Sequence, residues 1–340
     1  MKFRNKKLIG ISLLTAVLLQ TNLNAQDKEN TKSLGSIDII STDSVLKKDS
    51  YTVESMNTST GLDLSIKHTP QAVTVISAKE LEDKGITSYQ SMLAHLTGVS
   101  LIRSDERLKT SARGFDIDYF KIDGVPTYIT FNSRDLDLSM FERVEVVKGA
   151  NGLTTGAGNP GISINLVRKR ANSKDLEGSI TSKVGSWNSY SLSADIGSKL
   201  DEKGDIRGRL VVKHEDEESY MSGYEKKNNL IYGVVDADLS DTTTISVGAS
   251  LQKNDKSGIR WGGLPAFDSN DNRIDFNRST IVSEDWTYLN NEEKLFFADL
   301  NQKLYENTSL NLSYSHSELK REDAFLYFYG KLNTSNGSGL

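Results

Sequence analysis

Residues 141–170 read FERVEVVKGANGLTTGAGNPGISINLVRKR, and the way this stretch is divided decides the fold. Its middle, Gly156-Ala157-Gly158-Asn159-Pro160-Gly161, matches G-x-G-x-x-G, the loop that sets a pyrophosphate against a helix N-terminus. That mechanism needs a strand directly before the glycines and a helix directly after them. Val144 to Lys148 is strand-like, but Gly149 to Thr155 intervenes before the motif, and Pro160 sits inside it. Downstream, Ile162-Ser163-Ile164-Asn165-Leu166 alternates apolar and polar residues with the period of a strand. Glu177 lies near the offset of a ribose-binding acid, yet Arg168-Lys169-Arg170 and a change of pattern separate it from the glycines. No Gly-Lys-Ser/Thr follows either, which removes the phosphate loop. The stretch reads as two strands joined by a glycine-rich connection, with no nucleotide.

Upstream the chain mixes short helices and strands. Val73 to Ile76 is β-branched, and Ser77-Ala78-Lys79-Glu80 follows as a capping box whose helix stops at Gly85. A second box, Thr87-Ser88-Tyr89-Gln90, opens a helix in which Tyr89, Met92, Leu93 and Leu96 share a face and Gly98 ends the pattern. Val99 begins a strand, and Asp123-Gly124 marks a turn within Tyr119 to Val125. Residues 61–170 are therefore expected to be a small α+β domain.

After Asn172 seven alternating segments recur: Ser179–Val184, Tyr190–Ile196, Arg207–Lys213, Leu230–Leu239, Ile245–Leu251, Leu295–Lys303 and Leu310–His316. Short turns such as Ser240-Asp241 and Glu306-Asn307 alternate with long polar loops, notably Asn254 to Asn291. Lopsided loops between such segments are the pattern of antiparallel transmembrane β-barrel strands. A soluble β-sandwich alternates too. The N-terminus favours the barrel: Met1 to Lys7 is basic, Leu8 to Leu19 is apolar, and Ala25 offers a cleavage point, so residues 1–25 read as a secretory signal peptide. No later stretch approaches the roughly 18 apolar residues of a spanning helix. Seven strands do not close a barrel, and lipid does not tolerate unpaired sheet edges. Residues 171–340 are thus expected to be a partial barrel, belonging to a longer chain or to a truncated, non-transporting product.

Composition narrows the chemistry. The net charge is −5, which argues against a nucleic-acid partner. Hydrophobic residues make up only 36%, but 13 Tyr and 11 Phe are too many for a disordered chain. There is no cysteine, so disulfides, thiolate metal sites and cysteine nucleophiles are excluded. His68, His95, His214 and His316 are too scattered to form a local metal motif. No nucleophile–base spacing or carboxylate pair stands out, so no catalytic residue, resident metal or cofactor is expected.

Five motifs in order carry a family resemblance: Thr69–Ile76, Ser111-Ala112-Arg113-Gly114-Phe115, Ile122–Pro126, Phe141–Ala150, and Gly152-Leu153 through Asn165–Arg170. Together they resemble the plug domain of TonB-dependent outer-membrane siderophore receptors. Gly185-Ser186-Trp187-Asn188, Asp236–Leu239 and Trp261–Pro265 resemble the ferric coprogen and ferric pyoverdine receptors, the former especially. The resemblance implies a plug lodged in a barrel of about 22 strands. It also implies uptake of a ferric siderophore, of hydroxamate type by the coprogen-like motifs, across the outer membrane. The cargo would be an iron(III) complex bound at the outer face; haem, cobalamin and copper complexes are the alternatives. An open porin is disfavoured by the plug motifs.

Further expectations follow from the resemblance. The energy-coupling protein TonB would grip a TonB box within the segment 26–60, placed at Ser36, Ile37, Asp38, Ile39, Ile40 and Ser41, running to Thr42. Such a grip works by strand addition, so its sequence is loosely specified. Siderophore contacts are expected from Arg107, Tyr128, Arg134 and Trp261, whose guanidinium and aromatic groups suit an oxygen-rich complex. Arg113 and Arg143 would lock the plug to barrel glutamates beyond Leu340, and Arg168-Lys169-Arg170 would face the periplasmic rim.

Overall fold

The computed structural model describes residues 50–336 apart from positions 52, 54, 57, 59–63, 70, 118, 129–134, 150–159 and 307. The expected signal peptide and TonB box lie outside the described residues.

An N-terminal arm comes first, with a two-residue pair, β1 (Ser55–Met56) and β2 (Leu64–Ser65). Strand β3 (Ala72–Ser77) leads into helix α1 (Ala78–Asp83), where the Ser77 hydroxyl accepts the Glu80 N–H at 3.2 Å, as the first capping box predicts. Helix α2 (Tyr89–His95) starts one residue later than the second box implies. Ser88 is its N-cap and Ser91 completes the box, in place of Thr87 and Gln90. The reason is tertiary: the Thr87 carbonyl accepts the Leu138 N–H at 2.9 Å, which holds Thr87 in an extended segment. A small sheet follows, β4 (Val99–Arg103), β5 (Leu108–Ala112) and β6 (Phe115–Asp116).

Strands β7 (Tyr119–Ile122) and β8 (Val125–Tyr128) form a hairpin. Asp123 and Gly124 both have positive φ (46° and 84°), the backbone that a two-residue Asp-Gly turn requires. The opening stretch supplies β9 (Phe141–Lys148) and β10 (Ile162–Arg168), paired antiparallel, with the Gly149 N–H donating to the Gly161 carbonyl at 3.1 Å. A strand therefore follows the glycines where a nucleotide loop needs a helix, although residues 150–159 of the connection lie outside the described set. The sheet order is β3-β9-β10-β7-β8.

The seven expected barrel segments are all strands of one antiparallel sheet in sequence order: β11 (Glu177–Val184), β12 (Tyr190–Lys199), β13 (Ile206–Glu218), β14 (Glu225–Ser240), β15 (Thr243–Ser257), β16 (Tyr288–Tyr305) and β17 (Thr308–Ala324). They run further than the apolar alternation shows. Pairs such as Asp216↔Lys227 and Lys253↔Glu292 continue the ladder through charged residues, and the loop expected at 254–291 spans 258–287. Alternation stops where the strands leave an apolar environment, whereas backbone pairing does not. The long connection 258–287 lies at the same end as 185–189 and 219–224, and the shortest, 241–242 and 306–307, lie at the other end with 200–205.

The two faces of this sheet settle sandwich against barrel. Ile196, Leu210, Ile231, Val235, Val247, Phe296 and Tyr314 stand exposed on the outer face as a continuous apolar band. A sandwich would bury that face under a second sheet, whereas a barrel turns it to lipid. The inner face packs on the α+β domain: Val211, Leu230, Tyr232, Leu295 and Phe297 join Met92, Leu93, Phe120, Val144 and Leu166 in one buried cluster. No helix among the described residues is long and apolar enough to cross a membrane, which says nothing about strands.

Gly248 makes that packing possible. A Cβ there would stand 2.4 Å from Phe297 Cζ and 2.7 Å from the Gly233 carbonyl oxygen. Phe297 in turn lies 3.4 Å beneath the Arg168 guanidinium. Gly248→Ala is expected to destabilise the protein by about 2 kcal/mol through overpacking, read by thermal unfolding. A variant melting with the parent would show that Phe297 has room to move.

Candidate functional site: the plug–wall contact and its outer mouth

Three groups of polar contacts tie the α+β domain to the wall. At the short-turn end, Arg168 Nε reaches Asp123 Oδ2 at 2.7 Å, and Arg170 reaches Asp299 Oδ2 at 2.8 Å and Asp123 Oδ2 at 3.3 Å. Lys169 Nζ lies 2.8 Å from Asp195, which also takes Arg209 Nε at 2.8 Å. The basic run is thus buried between domain and wall, a correction to its expected place on the periplasmic rim. The aspartates that face it from β12 and β16 are why: a cation run draws out of water only where carboxylates receive it.

In the middle, the segment before β9 is moored by two aspartates. Asp137 takes Lys213 Nζ at 2.7 Å and Asn228 Nδ2 at 2.6 Å, and its own N–H donates to Gln252 Oε1 at 3.0 Å. Asp135 lies 3.4 Å from Lys226 Nζ. Burial raises the Asp135 carboxyl, but Lys226 and Lys256 outweigh it and hold the group below its ordinary value. Toward the long loops, Lys256 Nζ meets the buried Glu106 at 2.9 Å. The polarity reverses along the lumen: plug cations meet wall carboxylates at the short-turn end, and plug carboxylates meet wall lysines above.

At that upper end two of the expected binding residues come together. The Arg107 guanidinium sits 4.2 Å over the Trp261 ring, and Trp261 stacks on Phe325 with centroids 4.4 Å apart. Asp105 organises both: its carboxylate accepts from Arg107 Nε at 2.9 Å and from the Gly262 N–H at 2.8 Å. Burial raises the Asp105 carboxyl, yet the bonds from Arg107 and Gly262 leave it below the ordinary carboxylate value. A plug loop and a barrel loop are thereby joined around one guanidinium–indole face. Separately, a cavity of about 300 Å³ opens between plug and wall, lined by Arg103, Tyr220, Tyr224, Lys226 and Lys256 among others. Trp261→Ala removes the ring under Arg107 and the stack on Phe325, and is expected to weaken ferric-siderophore binding about tenfold. Calorimetric titration checks this, and unchanged affinity would take Trp261 out of the site.

The remaining candidates distribute differently. Tyr128 ends β8, but its side chain lies outside the described residues, as does all of Arg134. Arg143 pairs with Glu145 of its own strand at 2.7 Å, and Arg113, at φ 52°, places its guanidinium against Gly149. Among the described residues neither forms an ion pair with the wall. Motif reading missed Asp105, Glu106, Asp135, Asp137, Lys213 and Lys256. The signal for the wall residues was present: Lys213 and Lys256 occupy register positions of the inward face, where an isolated sheet has no use for lysine.

Lys121 gives a pH signature. Burial pushes its ammonium down to about 8 from 10.5, with Glu145 offsetting only part. Its folded pKa lies below its unfolded one, so the penalty is full at neutral pH and stability rises as pH climbs from about 8 toward 10.5. Lys121→Met is expected to stabilise the protein at neutral pH and to flatten that rise in thermal unfolding. A variant keeping the parent's slope would contradict it.

Comparison with known proteins adds independent support. Residues 65–162 match the TonB-dependent Receptor Plug Domain. The chain is 35% identical over 293 residues to the ferric-pyoverdine BN7/BN8 receptor of Pseudomonas putida, covering 85% of this chain and 36% of that protein. It is 37% identical over 259 residues to the ferripyoverdine receptor of Pseudomonas aeruginosa, covering 74% and 32%. Among solved structures, the pyoverdine outer membrane receptor FpvA of Pseudomonas aeruginosa, bound to pyoverdine, superposes with a TM-score of 0.77 at 33% identity, over 82% of this chain and 42% of that one. The alcaligin outer membrane receptor FauA of Bordetella pertussis gives 0.66 at 32% identity, over 82% and 44%. The chain spans about a third of the length of the curated relatives it matches, at 36% and 32%. With a plug domain at 65–162 and, after it, antiparallel strands whose apolar face turns outward, the chain carries the plug and part of the barrel wall of a TonB-dependent receptor.

Proposed function

We propose that this chain serves the TonB-dependent uptake of a ferric siderophore of the pyoverdine class across the bacterial outer membrane, without covalent chemistry. The observation that carries this is the Arg107–Trp261–Phe325 face at the long-loop end, built jointly by plug and barrel and pinned by Asp105. Ferric iron arrives wrapped in the siderophore's own oxygens, so the protein supplies donors and an aromatic surface, and no metal ligands. Arg107 offers a charged fork to those oxygens, and Trp261 a flat apolar contact. Because plug and barrel share the face, an occupied site bears on both at once. Export by the leader at 1–25 and a TonB grip at 36–42 complete the proposal.

The cargo class is tested by titrating the purified full-length gene product with iron-loaded pyoverdine, a trihydroxamate, a tricatecholate, haem, cobalamin and a copper chelate. Selective binding of pyoverdine is expected. The expected hydroxamate class stands if the trihydroxamate binds instead, and preference for haem, cobalamin or copper would sink the siderophore assignment.

A further inference from the structure

Trp261 and Phe325 form the stacked part of the proposed binding face, and both stand on irregular connections. Trp261 lies in the connection 258–287, and Phe325 directly follows β17. Upstream of Trp261 the chain is held, since Ile259 is fully buried. Downstream come Gly262, at φ 97°, and Gly263. Two successive glycines leave the backbone many states, so whatever fixes this side of the ring must act beyond them.

Asp268 acts there. It is 4% exposed, and its Oδ1 accepts the N–H groups of Asn270 and Asn272, both at 2.8 Å. Its Oδ2 accepts from Asn272 Nδ2 at 3.1 Å and from the Thr334 hydroxyl at 3.4 Å. The carboxylate thereby organises residues 266–274 as a small hairpin. Within it the Asp268 N–H donates to the Asn272 carbonyl at 2.8 Å, and the Ile274 N–H to the Ala266 carbonyl at 3.0 Å. Asp271 at the tip has φ 63°, a left-handed backbone that aspartate tolerates better than most residues. The hairpin is moored to the segment after β17. Asp268 bridges Leu332, the Ser269 N–H donates to the Leu332 carbonyl at 2.9 Å, and Lys331 pairs with Asp271. That ion pair is exposed and contributes little, so the buried carboxylate carries the mooring. The two connections are thus tied twice, at Trp261–Phe325 and at Asp268–Leu332.

A surface loop without a task tolerates a loosely bonded tip. Here a buried carboxylate organises the tip, and its removal would leave two N–H donors without their acceptor. We propose that Asp268 is a positioning residue for siderophore capture: it holds the connections 258–287 and 325–334 together, so that Trp261 is stacked on Phe325 before the ligand arrives. The inference rests on the binding face proposed above and adds how that face is kept ready. Asp268 is buried and acts through Trp261, without touching the ligand itself. It sets the fraction of protein whose face is assembled, and the apparent affinity scales with that fraction. The kinetic signature differs from that of a contact residue. Loss of a contact speeds dissociation, whereas loss of preassembly slows association and leaves dissociation alone.

Association and dissociation of iron-loaded pyoverdine would be followed by stopped flow on the purified full-length gene product. Asp268→Ala is expected to lower the association rate about tenfold, with dissociation within about twofold of the parent. A covalent tie tests the same point from the other side. The chain has no cysteine of its own, so Asp268→Cys with Leu332→Cys places a single pair at bridge partners. With its disulfide formed, as checked by mass, this variant is expected to associate at the parent's rate. Reduced, it should associate as slowly as Asp268→Ala. Unchanged association in Asp268→Ala overturns the inference. Faster dissociation with association intact also overturns it, because Asp268 would then be a contact. Equally slow association of the oxidised and reduced pair does the same. In each of these cases a parent that binds pyoverdine leaves the proposed function standing, whereas a parent that binds no siderophore overturns both. Should Asp268→Ala fail to fold, the oxidised and reduced forms of the double variant decide the question by themselves.

Discussion

Replacing Asp137 with alanine is expected to destabilise the protein by about 3 kcal/mol and to loosen the plug within the wall. Asp137 is 1% exposed and accepts from Lys213, Asn228 and the Ser139 N–H, at 2.7, 2.6 and 2.8 Å. Its partner Lys213 is as deeply buried. The charge left behind dominates the cost, since removing one partner of a buried pair typically costs about 3–5 kcal/mol. The lower end applies because Glu215 stays 3.0 Å from Lys213 Nζ. The damage should be local as well, because the neighbouring segment holds α2: the Leu136 carbonyl accepts the Tyr89 N–H at 2.8 Å. Thermal unfolding gives the magnitude, and limited proteolysis of the plug gives the location. Asp137→Asn keeps an acceptor without the charge and should fall between parent and alanine. A loss under about 1 kcal/mol would mean that Glu215 alone suffices to hold Lys213.

The second large effect is on transport. Ile39→Pro is expected to bring iron uptake down to background while leaving siderophore affinity unchanged. Strand addition depends on backbone hydrogen bonds to the partner's sheet edge, and proline removes the N–H and fixes φ. The proposed binding face at Arg107 and Trp261 lies on the plug and barrel loops, far along the chain from residue 39. Uptake of radioiron and equilibrium binding, measured on the same cells, separate the two functions. Uptake that survives the substitution would show that the TonB grip lies elsewhere in 26–60.

Much of this architecture was legible from local signals. Ser77 and Gly85 bound the first helix, Asp123-Gly124 forms its hairpin, and all seven alternating segments are strands, because each signal acts within a few residues. Two of the errors share a cause, which is distance along the chain. Thr87 is claimed by Leu138, which moves the second cap to Ser88. Arg168 and Arg170 are buried by Asp123 and by Asp299, an aspartate more than a hundred residues away. The charged strand ends were unreadable by alternation because, beyond the lipid, pairing no longer needs an apolar face. Of the candidate binding residues, Arg107 and Trp261 were named one at a time, and only the fold shows them stacked. Asp105, which positions both, has no motif of its own.

The uptake claim is tested most directly in cells whose own siderophore receptors are deleted and that produce the full-length gene product. Accumulation of radioiron supplied as ferric pyoverdine is expected when TonB is present, and background accumulation when the gene for TonB is deleted. Equal accumulation in the two strains, or none in either despite the protein's presence in the outer membrane, would contradict it.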